Sequence, residues 1–85
     1  MDYIREVANR FLARCPNITI LVPMDFAIIA EWEKQEIPLA VVLKSINEAA
    51  DSRNKKEFRI CSVTDIQDAV RQDFIRWLNT SLGNN

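Results

Sequence analysis

The chain has 85 residues, with 11 Lys and Arg against 12 Asp and Glu, a formal net charge of −1, no His and one Gly. Without His it lacks the commonest general base and metal ligand near neutral pH, so catalysis by a Ser-His or Cys-His pair is excluded and we expect no metal or cofactor. One glycine cannot build a phosphate-binding Gly-rich loop, and the near-zero charge argues against strong, sequence-independent binding of nucleic acid.

The size and hydropathy of the chain predict one globular domain, residues 1–85. Hydrophobic residues make up 48% of the sequence and charged residues 27%, which is typical of globular proteins. No run approaches the roughly 18 apolar residues of a membrane span, and the charged start Met-Asp-Tyr-Ile-Arg-Glu is unlike a signal peptide. Two distant cysteines without such a signal indicate reduced thiols. We therefore expect a cytoplasmic protein with no membrane partner.

Residues 2–14 are predicted to form the first helix. Asp2 is a plausible N-cap, and Pro16 lies just beyond the end of the helix. Residues 16–22 should form an extended connector whose apolar side chains enter the core, and pairing with residues 58–63 in a short ribbon is left open. The helix is predicted from apolar residues at helical spacing, which are Ile4, Val7, Ala8, Phe11 and Leu12.

The second predicted helix, residues 23–36, begins at a proline that suits a first helical position and has Asp25 in its first turn. Its first two turns are apolar almost all round, which predicts that this helix lies at the centre of the core. A break at Ile37-Pro38 leads into a third helix, residues 38–52, with one regular apolar stripe. The stripe comprises Leu39, Val42, Leu43, Ile46, Ala49 and Ala50.

The last predicted helix spans residues 63–82. Two overlapping patterns at its start, Ser62-x-x-Asp65 and Thr64-x-x-Gln67, resemble capping boxes. The helix carries a wide apolar arc made of Ile66, Val70, Phe74, Trp77 and Leu78. Together the four amphipathic segments predict an all-α fold, a compact bundle of about four helices.

The polar stretch before the last helix holds the best basic patch in the sequence. Its cations are Arg53, Lys55, Lys56 and Arg59. They could contact an anion or nucleic acid, with Arg10 and Arg14 of the first helix assisting. A solvated loop explains the same residues, because Asp51 and Glu57 dilute the charge. No clear stacking aromatic interleaves the patch.

Trp32 and Trp77 are candidate interface residues, since Trp anchors many protein interfaces. Both lie on apolar arcs, so packing in the core is the favoured explanation. The second and third helices superficially resemble a helix-turn-helix, but the run Leu39-Ala40-Val41-Val42 offers no donors to base edges. The carboxylates fall on helix surfaces and in first turns, where they compensate the helix dipole. We find no catalytic constellation and predict that the protein is not an enzyme.

A series of motifs runs from Leu21 to Ser62. It comprises Pro23-x-Asp25, Ile28-Ile29 with Trp32, Ile37-Pro38-Leu39 and Val42-Leu43-x-x-Ile46. The series resembles the pattern of a family of small uncharacterised bacterial proteins, which has a Gly where this chain has Glu36. The resemblance implies a bacterial helical protein with no known activity and no functional residues to transfer. A fainter likeness to helical domains of bacterial replication-initiation accessory proteins would imply protein or DNA contacts.

These patterns predict a non-enzymatic protein–protein interaction module. The apolar arcs of the second and fourth helices are wider than one small core needs, so part of them should be available to a partner. That partner would be another protein or a second copy of this chain. The alternative is an accessory nucleic-acid-binding domain that uses the basic loop, residues 53–59.

Overall fold

The computed structural model describes residues 2–16, 18–52 and 62–83. Within these ranges the chain is an all-α bundle, which confirms the predicted fold class. The elements are α1 (Tyr3–Arg14), α2 (Pro23–Lys34), α3 (Leu39–Ser52), a single-turn 3₁₀ helix (Val63–Ile66) and α4 (Gln67–Gly83). The predicted boundaries agree within two residues, except that a 3₁₀ turn precedes the last α-helix.

Local capping explains where the helices begin. The Asp2 side chain accepts a hydrogen bond from the Arg5 backbone N–H at 3.2 Å, so the predicted N-cap of α1 is confirmed. At the 3₁₀ helix, the backbone N–H of Ser62 donates to Asp65 Oδ2 at 3.1 Å. That bond is one arm of the first of the two predicted capping boxes.

The connector after α1 is extended from residue 18 to residue 22 and forms no strand in that stretch. Ile18 and Leu21 are buried in the core, as predicted for this segment, whereas Ile20 is 72% exposed. Residues 58–61 lie outside the described part of the chain, so the pairing that the sequence left open is not tested.

α2 ends in a Schellman turn with an unusual residue at its left-handed position. The N–H of Ile37 donates to the Trp32 carbonyl at 3.1 Å, and the N–H of Glu36 donates to the Glu33 carbonyl at 3.0 Å. Glu36 has a φ of 61°, where glycine is the usual residue because a Cβ is unfavourable there. The left-handed turn therefore forms without the glycine that is typical of it.

The centre of the core is α3, so the expectation that the second helix is central is wrong. α3 packs against α1, α4 and the 3₁₀ helix, whereas α2 packs mainly against α1 and the 3₁₀ helix. α2 buries one face and leaves Met24 64% exposed and Phe26 42% exposed. The buried cluster consists of Val7, Ala8, Phe11, Cys15, Ile18, Leu21, Ile29, Trp32, Ile37, Val41, Val42, Ile46, Val63, Ile66 and Val70.

Two polar contacts fix α1 alongside α3. At one end, the Tyr3 hydroxyl donates to the carbonyl of Ile37 at 2.8 Å, just before α3 begins. At the other end, the Arg14 guanidinium pairs with Asp51 and donates to the Asn47 carbonyl, both in the last turns of α3. Because the starts of the two helices meet and their ends meet, α1 and α3 run in the same direction.

Candidate functional site

The predicted basic patch cannot be placed, because Arg53, Lys55, Lys56 and Arg59 lie outside the described residues. The two assisting arginines on α1 can be placed. Arg10 is half-buried, and Arg14 is bound to Asp51 at the end of α3. The guanidinium of Arg14 therefore serves the packing of α1 on α3.

The two tryptophans occupy different environments. Trp32 is only 6% exposed and belongs to the core. Trp77 is 41% exposed, and its ring stacks on Phe74 with a centroid distance of 6.1 Å and an interplanar angle of 17°. Of the two candidate interface residues, Trp77 alone presents much of its ring to solvent.

A groove of about 630 Å³ lies between α2 and α4. One wall comes from α2 and the turn after it, and the other comes from the first half of α4. The lining consists of Ala27, Ile28, Glu31, Trp32, Gln35, Ile37, Gln67, Asp68, Arg71 and Phe74.

The direction of the two walls follows from contacts at their ends. The Asp25 carboxylate at the start of α2 accepts a hydrogen bond from the N–H of Val63, four residues before α4 begins. Farther along, α4 runs antiparallel to α3, since Asp73 meets Ser45 and Trp77 lies beside Val41. α3 begins where α2 ends, so α2 and α4 run in the same direction on either side of the groove.

Helical spacing explains which side chains face the groove. With about 3.6 residues per turn, Ile28, Glu31 and Gln35 recur on one face of α2. Gln67, Arg71 and Phe74 recur in the same way on α4. The side of α4 that faces the groove is one edge of its predicted apolar arc, and the core does not cover that edge. Val70, toward the other edge of the arc, is fully buried.

Exposed apolar residues extend the groove at both ends. Met24 lies one turn before Ile28 on α2 and is 64% exposed. Ile75 lies one turn after Arg71 on α4 and is 48% exposed, and the half-buried Leu78 follows Phe74 on the same side. The groove, whose lining mixes polar and apolar side chains, and these exposed apolar residues form one elongated surface, which we call the α2–α4 surface.

The rim of this surface is polar and slightly acidic. Glu31 stands on the α2 wall, and its Oε2 accepts a hydrogen bond from Gln35 Nε2 at 3.0 Å. Asp68 and Arg71 stand one turn apart on the α4 wall. Glu31, Asp68 and Arg71 are all exposed, so these three charges face solvent beside the groove.

A second, smaller groove of about 210 Å³ lies on the opposite flank of α4. Its polar centre is Asp73, which binds two side chains at once. Ser45 Oγ donates to Asp73 Oδ2 at 2.6 Å and also lies 3.0 Å from the Val41 carbonyl oxygen, while Arg76 donates to Asp73 Oδ1 at 2.7 Å. Ser45 is 1% exposed, so its hydroxyl joins α3 to α4 from inside the bundle.

Sequence reasoning missed two features of this fold, the contact of Ser45 with Asp73 and the α2–α4 surface. The first had a partial signal in the sequence. Ser45 interrupts the apolar stripe of α3 on its buried side, and such a position signals a buried polar contact without naming its partner. The α2–α4 surface had no comparable signal. Its two walls are about 40 residues apart in sequence, and only the packing of both helices on the core brings them together.

In the described ranges, no group of three or more His, Cys, Asp or Glu side chains could hold a metal ion. None of the helices seen in these ranges is both long enough and apolar enough to cross a membrane.

Comparison of the chain with protein-family models, with curated proteins and with solved structures found no match.

Proposed function

We propose that the protein is a non-enzymatic protein–protein interaction module that binds its partner through the α2–α4 surface. The observation that supports this proposal is the exposure of two large apolar side chains, Met24 and Ile75, at the two ends of the groove. Single exposed apolar residues are ordinary on proteins, but several of them along one groove are typical of a binding site.

The shape of the surface favours a macromolecule over a small ligand. Its central volume of about 630 Å³ would suit a small molecule. However, apolar side chains continue past both ends of the groove, to Met24 and to Leu78. An elongated partner covers this whole length, whereas a compact ligand leaves the exposed ends in water.

The test is a pair of matched substitutions. Ile75→Asp places a charge at one end of the surface, and Ile20→Asp places the same charge on the connector, at a side chain that is 72% exposed. Wild-type protein and both variants would be cross-linked in the native cell, and the captured partner identified by mass spectrometry. We expect Ile75→Asp to lose a partner that wild type and Ile20→Asp both retain. Equal capture by all three proteins would contradict the proposed surface.

The alternative function, an accessory nucleic-acid-binding domain, rests on the sequence of residues 53–59. It predicts binding that weakens steeply with salt, because each neutralised phosphate releases counterions. A gel shift at low salt that disappears in a Lys55→Ala, Lys56→Ala double variant would support it. No shift at low salt would remove it.

A further inference from the structure

We draw no further inference here: the strongest candidate, the small groove between α3 and α4 where the half-exposed Trp77 lies beside Lys44 and Arg76, carries none, because both cations are paired with acids of this chain, Glu48 and Asp73, and nothing in the described residues shows what covers the ring.

Discussion

Asp25 is a buried carboxylate that joins three parts of the chain. It is 3% exposed, accepts a hydrogen bond from the N–H of Val22 at 2.9 Å, and accepts another from the N–H of Val63 at 3.3 Å. The first bond caps α2, and the second ties α2 to the start of the 3₁₀ helix. The sequence predicted that an acid at position 25 would be favourable in the first turn of α2. The bond between Asp25 and Val63 joins residues 38 positions apart, so no local pattern predicts it.

We expect Asp25→Ala to lower the free energy of unfolding by about 2–3 kcal/mol, because it leaves two backbone donors without an acceptor. Asp2→Ala removes an exposed N-cap and should cost only about 1 kcal/mol. Urea denaturation followed by circular dichroism would measure both. A loss at Asp25 no larger than that at Asp2 would show that the bond to Val63 adds nothing.

Tyr3 is half-buried against the turn that precedes α3. Burial, and next the negative charge of Glu33, raises the pKa of Tyr3 to about 12 from the usual 10.0. Because the folded state holds this proton more tightly than the unfolded chain, the contribution of Tyr3 to stability is complete below pH 10 and is lost as the pH rises towards 12.

The chain has a single Tyr, so its titration can be followed directly by tyrosinate absorbance in the near ultraviolet. We expect an upward-shifted pKa in the folded protein and a smaller shift in Glu33→Gln. The variant Tyr3→Phe should lose about 1 kcal/mol at neutral pH, through the bond to Ile37, and should lack the part of the alkaline destabilisation that comes from Tyr3. An ordinary pKa in the folded protein would contradict the burial of this hydroxyl.

Glu36 holds a left-handed conformation at the end of α2 without the benefit of glycine. We expect Glu36→Gly to stabilise the protein by up to about 1 kcal/mol, because glycine tolerates a positive φ that any side chain with a Cβ resists. Glu36→Ala is the matched control, since it removes the carboxylate but keeps the Cβ. Thermal unfolding should raise the midpoint for Gly alone, and equal midpoints for Gly and Ala would show that the backbone is not strained here.

At the scale of single elements, α4 changes character along its length. Val70 in its first turns is fully buried, Phe74 is half-buried, and Ile75 and Trp77 are 48% and 41% exposed. The apolar arc predicted from the sequence is therefore real but only partly covered. Helix periodicity determines which residues share one face of α4. How far along α4 that face is buried depends on the helices that pack against it, α3 and the 3₁₀ helix.

The contact between α3 and α4 depends on the bond from Ser45 to Asp73. We expect Ser45→Ala to cost about 1–2 kcal/mol, since it deprives a carboxylate that is 10% exposed of one donor. A double-mutant cycle with Asp73→Ala should give a coupling energy of about 1 kcal/mol. Strict additivity of the two substitutions would show that the hydroxyl does not act through this carboxylate.

For the whole molecule, the central position of α3 determines where substitutions lower the free energy of unfolding most. Ile46 on α3 is fully buried, and Ile20 on the connector is 72% exposed. We expect Ile46→Ala to cost about 2–5 kcal/mol by leaving a cavity, whereas Ile20→Ala should stay within about 0.5 kcal/mol. Similar losses at both positions, measured by chemical denaturation, would contradict the position of α3.

The prediction that α2 is the central helix is wrong for a physical reason. Apolar residues surround the first turns of α2, and a helix of that kind usually lies inside. Here Asp25, Ile29 and Trp32 face the core, while Met24 faces outward at the end of the groove. The extra apolar residues form part of the α2–α4 surface. A pattern that was interpreted as burial therefore describes an exposed face, the one proposed above for binding.

The sequence by itself determined the local structure of this protein. Helix periodicity, the cap at Asp2, the pattern Ser62-x-x-Asp65 and the prolines near the helix ends act over about four residues, so they can be recognised in the chain alone. The absence of His excludes catalysis by a Ser-His or Cys-His pair, and the single Gly excludes a Gly-rich phosphate loop. Both exclusions also follow from the sequence alone.

Only the tertiary structure decided which apolar faces are covered. The groove between α2 and α4, the buried pair of Ser45 with Asp73, and the bond from Asp25 to Val63 all join residues that are 28 or more positions apart. Such contacts depend on how all the helices fill one core together, and no local pattern encodes that choice. The surface proposed for binding exists because α3, and not α2, occupies the centre.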